Sequence, residues 1–199
     1  MGGICVSRAL VNTIIDQLRE RIINNVLPGE EAHFDFSPKS YIARKTEYIN
    51  VLDYRVGAVL ILLYPKGNSV NFVLTQRHDY AGTHSGQISL PGGKVESNES
   101  PKQAAIRETF EEVGVSSIEV LRELTKLYIP PSRFLVSPFI GHVQEKPEFR
   151  ADAYEVKEIL EVTLDELMTA EISFHDVEMN NLNTTKMMEV PAFSLKNKV

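Results

Sequence analysis

Residues 92–115 read GGKVESNESPKQAAIRETFEEVGV, and the fold turns on this stretch. Its middle predicts a helix over 101–113 with both ends marked. Ser100 is an N-cap residue, Pro101 sits at the first helical position, and Gln103 completes a capping box. Gly114 supplies the stop, since glycine enters the left-handed conformation without steric cost. At about 100° per residue, Ile106, Phe110 and Val113 gather on one side and are the face expected to bury. Glu108, Glu111 and Glu112 gather on the other. Adjacent carboxylates repel one another, so the arrangement is a poor choice for stability alone. A hard divalent cation reverses that sign, because Mg²⁺ is usually held by one or two carboxylates with phosphate oxygens completing its shell. Glu-rich helix faces are also common as plain solvated surface, so the helix alone does not decide.

Upstream, Val56–Tyr64 (VGAVLILLY) reads as a buried strand, residues 66–69 as a turn, and Val70–Thr75 as the returning strand of a hairpin. A glycine-rich connection runs from Gly82 to Gly93. Downstream, Ile118–Tyr128 and Phe134–Gln144 read as strands, separated by Ile129-Pro130-Pro131-Ser132. Val156–Val162 is a further strand, Leu164–Met168 a short helix or turn, and Val190–Leu195 a last short strand. Before all of these, residues 8–26 carry apolar positions at helical spacing (Leu10, Ile14, Ile15, Leu18, Ile22) and stop at Pro28-Gly29. Residues 29–52 show no clear period. Strands interleaved with one strong helix predict a mixed α/β domain over 53–199, with 1–52 as an N-terminal helix-and-linker extension.

Composition narrows the function. The 199 residues are 43% hydrophobic and 24% charged, which is a globular balance. Twenty-seven acids against 21 bases give a net charge of −6, which argues against binding a nucleic-acid backbone. The single Cys, Cys5, excludes an internal disulfide framework and a cysteine-cluster zinc site, and it fits a reducing compartment. No apolar run is long enough for a bilayer span. Val6 stands where a myristoylation signal needs Ser or Thr, and Asp16, Arg19 and Glu20 interrupt any secretory apolar stretch. The chain reads as a soluble cytoplasmic protein with no membrane or nucleic-acid partner.

The spacing Gly93, five residues, Glu99, seven residues, then Arg107-Glu108-Thr109-Phe110-Glu111-Glu112-Val113-Gly114-Val115 resembles the Nudix hydrolase signature, G-x5-E-x7-R-E-U-x-E-E-x-G-U, where U is bulky and apolar. Every fixed position matches; Thr109 is the one soft departure. The resemblance implies a Nudix-type α/β/α sandwich with a mixed sheet. It also implies Mg²⁺- or Mn²⁺-dependent hydrolysis of a nucleoside diphosphate linked to another moiety. Carried over by position, Glu108, Glu111 and Glu112 are the metal ligands or water-activating groups. Arg107 orients a glutamate by ion pairing, Glu99 has a similar supporting role, and Gly92 or Gly93 offers a carbonyl oxygen. The base is open between Glu112 and Glu155, the latter from outside the box.

The segments around the box are similar to the coenzyme A diphosphatase subgroup, whose upstream motif runs L-L-T-x-R-S, then L-R-x-H-x-G-x-I-x-F-P-G-G. Leu74, Thr75, Arg77, His84, Gly86, Ile88, Pro91, Gly92 and Gly93 agree with it. Segment 129–132, Glu155-Val156 and Val190-Pro191-Ala192-Phe193 also resemble that subgroup. His78 stands in place of Ser, Leu90 in place of Phe, and the Leu-Arg pair before His84 is missing. The resemblance implies hydrolysis of CoA or acyl-CoA to 3′,5′-ADP and (acyl-)4′-phosphopantetheine, with Arg77, His84, Gly92 and Gly93 on the substrate. Arg77 either binds a phosphate or holds a loop acid, and His84 either touches substrate or braces its loop. The same chemistry on ADP-ribose, dinucleotides or nucleoside triphosphates is the enzymatic alternative. A ligand-sensing Nudix module is the non-catalytic one. The subgroup continues into a Trp-containing stretch and a final helix, and this chain has no Trp. Either the sequence is truncated relative to that subgroup, or the sheet face is covered another way, by the N-terminal helix or by a second subunit in a homodimer.

Overall fold

The computed structural model describes residues 8–34, 36–37, 53–78, 86–130, 132–181 and 184–195. The leading helix α1 spans Arg8–Asn24 and is followed by a one-turn helix α2, Glu31–Phe34. The hairpin is present as β1, Arg55–Lys66, and β2, Ser69–Arg77. Two short strands come next, β3 at Ile88–Ser89 and β4 at Gly92–Lys94. Helix α3 occupies Pro101–Val113 with the expected ends: Ser100 accepts from the Gln103 amide, Gln103 returns the bond, and Gly114 is left-handed at φ 74°. Beyond it lie β5 (Glu119–Glu123), β6 (Leu127–Ile129), β7 (Phe134–His142), β8 (Val156–Thr163) and α4 (Leu164–Thr169). The last two elements are β9 (Ile172–Asn181) and β10 (Thr184–Phe193).

The main sheet is mixed, in the order β3-β2-β1-β7-β5. β1 runs parallel to β7 over Arg55–Leu63. Its other edge is shared: the end of β1 pairs with β2, and Gly57–Val59 pair antiparallel with β4. β8 lies along β2. This shared edge brings Gly92 and Gly93 into the sheet beside the middle of the molecule.

Both faces of the sheet are covered, so β1 is apolar almost throughout instead of alternating. Ala58, Leu60, Leu62 and Tyr64 face α3 and pack on Ala104, Ala105 and Val113. Leu63, Val70, Phe72 and Val162 face the opposite way and bury Ile15 of α1. The N-terminal helix thus supplies the second helical layer. Arg122 of β5 secures its end by donating to the carbonyls of Ile22 and Asn25, groups a helix terminus leaves without partners. Arg19 pairs with Glu119, which also meets His142 Nε2 at 3.0 Å.

Three expectations change. Phe110 is 55% exposed, and the buried face of α3 is Ala104, Ala105, Thr109, Glu112 and Val113. Two alanines let the helix lie close to β1 and β4, and that rotation turns Glu112 inward at the expense of Phe110. The single strand expected over 118–128 is two, because β5 pairs with the end of β7 and β6 with its start, so the chain steps between them. The last strand is longer than expected and pairs with β9, which periodicity did not suggest. Thr109 accommodates its soft mismatch by donating its hydroxyl to the Ala105 carbonyl at 2.7 Å within the buried face.

Candidate active site

Three pieces of chain meet over β4. The carboxylate side of α3 lies above Gly92-Gly93, the end of β2 brings Arg77, and the segment before β8 brings Glu155. Glu112 is 4% exposed. Its Oε2 accepts from the Gly92 amide at 3.2 Å, and its Oε1 lies 3.8 Å from Arg77 Nη2. Burial pushes its carboxyl up to about 7, outweighing the Gly92 amide and the Arg77 charge, and the nearby Glu108 and Glu155 charges add to the rise. Glu108, one turn earlier, is half-buried. Its carboxyl is also raised, first by burial, against the opposing pull of Arg107, with Glu111 and Glu155 adding to the rise.

Arg107 organises the acidic side. It grips Glu99 with two bonds, Nη2 to Oε1 at 2.7 Å and Nε to Oε2 at 3.1 Å. It also reaches Glu108 at 3.0 Å and Glu111 at 2.8 Å. A further bond, to the Lys94 carbonyl at 3.3 Å, ties the helix to the chain leaving β4. The Arg107 hydrogen bond holds the Glu99 carboxyl below the usual range, and the Glu96 amide helps. The bidentate geometry is specific to a planar guanidinium.

The predicted residues therefore separate. Glu99, Arg107, Glu108, Glu112, Arg77, Gly92 and Gly93 come together. Glu111 points to the rim, its side chain 54% exposed and tied to Arg107. His84 lies outside the described residues. One residue that sequence reasoning missed stands out: Asp152, whose Oδ1 accepts the amides of Tyr154 and Glu155 at 2.8 and 3.0 Å. The signal was present, since an aspartate two and three residues before such amides is a common side-chain turn.

The donor set suits a hard cation. Two carboxylates at raised pKa and adjacent backbone carbonyls offer oxygen only, and a bound cation would relieve the cost of their burial. Among the described residues no three His, Cys, Asp or Glu side chains form a ready cage for an ion. The arrangement fits one or two carboxylates sharing the shell with ligand oxygens, as Mg²⁺ commonly accepts. Among the described residues, no helix is long and apolar enough to cross a membrane.

The NUDIX domain family profile matches residues 53–183. Nudix hydrolase 3 of Caenorhabditis elegans is 29% identical over 116 residues, covering 56% of this chain and 48% of that protein. The uncharacterized Nudix hydrolase NudL of Yersinia enterocolitica is 35% identical over 99 residues, covering 48% of this chain and 50% of that protein. The chain thus spans about half the length of these two relatives. Among solved structures, the MutT protein from Methanosarcina mazei Go1 is 26% identical with a TM-score of 0.48, over 59% of this chain and 83% of that one.

Proposed function

We propose that this chain, which belongs to the Nudix family, hydrolyses the pyrophosphate bond of CoA or an acyl-CoA, releasing 3′,5′-ADP and (acyl-)4′-phosphopantetheine. The family is typically dependent on a divalent metal, and Nudix domains bind nucleotide-derivative substrates. The observation that carries the pyrophosphate-bond chemistry is the Glu108–Glu112 pair, drawn under the sheet edge beside Gly92-Gly93 with Arg77 across from it. A face built only for solubility would leave those carboxylates in water.

Glu108 and Glu112 would hold Mg²⁺ or Mn²⁺, and Gly92 or Gly93 would lend a carbonyl. When bound, the cation neutralises the pyrophosphate and makes an attacking water more acidic. Arg107 and Glu99 keep Glu108 in place through their chain of ion pairs. Glu111 adds charge at the rim. Arg77 is aimed at the site from β2 and gives a substrate phosphate a charge-assisted donor. His84 is assigned to substrate by the subgroup resemblance alone. Residues 53–199 are taken as the catalytic domain, with α1 of the 1–52 extension as its outer layer. The CoA choice rests on the motif from Leu74 to Gly93.

The test is purified protein with Mg²⁺ or Mn²⁺ and a panel of CoA, acetyl-CoA, ADP-ribose, NADH, diadenosine polyphosphates and nucleoside triphosphates, with products separated by chromatography. Release of 3′,5′-ADP from CoA, faster than turnover of the others, is expected. Silence on CoA with turnover of another diphosphate would discard the substrate and keep the chemistry.

A further inference from the structure

We propose that Asp152 is a positioning residue that aims Glu155 at the Glu108–Glu112 pair, so that a carboxylate from outside the helix joins the field that draws the cation. The proposal rests on the pyrophosphohydrolase reading of the site.

The segment 150–156 is registered on the end of α3 by the backbone. The Arg150 amide donates to the Val113 carbonyl at 2.9 Å, and the Asp152 amide to the Glu112 carbonyl at 3.1 Å. These are carbonyls that the helix end leaves without internal partners. Gly114 eases the approach, since a Cβ there would stand 3.0 Å from the Arg150 Cβ, tighter than ordinary contact. The same residue that ends the helix therefore admits the segment that docks on it.

Docking fixes the position of Asp152, and the Asp152 side chain fixes the path of residues 153–156. Oδ1 takes the Tyr154 and Glu155 amides, and the Asp152 carbonyl takes the Val156 amide at 2.9 Å. The turn is closed by three bonds to one residue just before β8 begins. Glu155 is the last residue of that turn and precedes Val156, which pairs with Arg77 of β2, whose guanidinium lies 3.8 Å from the Glu112 carboxylate. Placed there, the Glu155 charge bears on Glu108 and Glu112. The bond from the Glu155 amide to Oδ1 sets the direction in which the Glu155 side chain leaves the backbone. Without the side-chain acceptor, two amides would turn to water and Glu155 would be free to swing from the pair. The turn is exposed enough to lose its acceptor without opening the core: Asp152 is only partly buried and Glu155 is exposed.

The experiment is a double-mutant cycle read by Mn²⁺ affinity, measured by water-proton relaxation without nucleotide, alongside kcat and KM. Asp152→Ala is expected to weaken Mn²⁺ binding about tenfold, the size of effect typical for groups that orient ligands. Asp152→Asn keeps the acceptor oxygen and is expected within about twofold of the parent protein. Glu155→Gln should weaken binding similarly, and adding Asp152→Ala to it should cost nothing more. Should Asp152→Ala fail to fold, Asp152→Ser, a weaker acceptor, runs through the same cycle. Additive losses, or parental affinity in Asp152→Ala or in Glu155→Gln, would overturn the proposal. Glu112→Gln separates the two levels: parental affinity there sinks the metal-site reading itself, whereas lost affinity with an additive cycle sinks only the role of Asp152.

Discussion

Gly93 and Glu108 meet at a distance that leaves no room for a methyl group: a Cβ on Gly93 would lie 2.4 Å from the Glu108 carboxyl carbon. The glycine is needed for what stands opposite it, on another element. Gly93→Ala would push Glu108 off the sheet edge while leaving the core of the domain untouched. Activity should fall about 100-fold, the usual size for displacing a reacting group by an ångström or so. Far-UV circular dichroism should stay unchanged. Parental turnover in this variant would remove Glu108 from the chemistry.

Glu112 makes the metal-free protein sensitive to pH in an unusual direction. Its carboxyl is raised from 4.5 to about 7, so the folded state holds a proton that the unfolded chain has already released. Stability should therefore decline as pH rises through that window and level off above it. The decline is of order 3 kcal/mol at most, taking about 1.4 kcal/mol for each unit. Urea unfolding in EDTA across the pH range measures it. Glu112→Gln should flatten the slope and be the more stable protein at pH 8, and Mg²⁺ should restore the parent there. A slope of the same size in Glu112→Gln would assign the effect to another group.

Arg77 separates two roles by kinetics. Arg77→Ala should raise KM about tenfold or more if the guanidinium meets a substrate phosphate, given the strength of charge-assisted bonds. Far-UV circular dichroism should remain parental. A fall in kcat with KM unchanged would mean that Arg77 serves Glu112 and leaves the substrate to others.

The N-terminal helix is an integral layer by its packing. Ile15 is 5% exposed against Leu63, Val70 and Phe72. Ile15→Ala should cost about 2–4 kcal/mol in chemical denaturation, as core truncations do. A loss under about 0.5 kcal/mol, the range of surface changes, would mark α1 as dispensable.

Much of this was legible because local rules and global packing agree. Helix α3 begins and ends where Ser100, Pro101, Gln103 and Gly114 say it does, since capping is decided within a few residues. The β1–β2 hairpin is as plain. Which side of α3 faces inward was not legible from its own periodicity. Phe110 is the stronger hydrophobe, yet Ala104 and Ala105 take the contact, because the depth of approach is set by the partner strands. The grouping of Arg77 with Glu112, 35 positions later in the chain, comes from the sheet edge that β1 shares between β2 and β4. The β9–β10 pairing was hidden because Ile172, Phe174 and Met187 stay exposed, so burial leaves no clear stripe to read.

The clasp between Arg122 and the end of α1 joins positions a hundred residues apart. The helix can curl locally as soon as it is made, but its resting place does not exist until β1, β2 and β5 have formed. Contacts of such long sequence separation are entropically expensive to close and set a slow pace. During synthesis, then, α1 leaves the ribosome before the strands it rests on, and its docking has to wait for them.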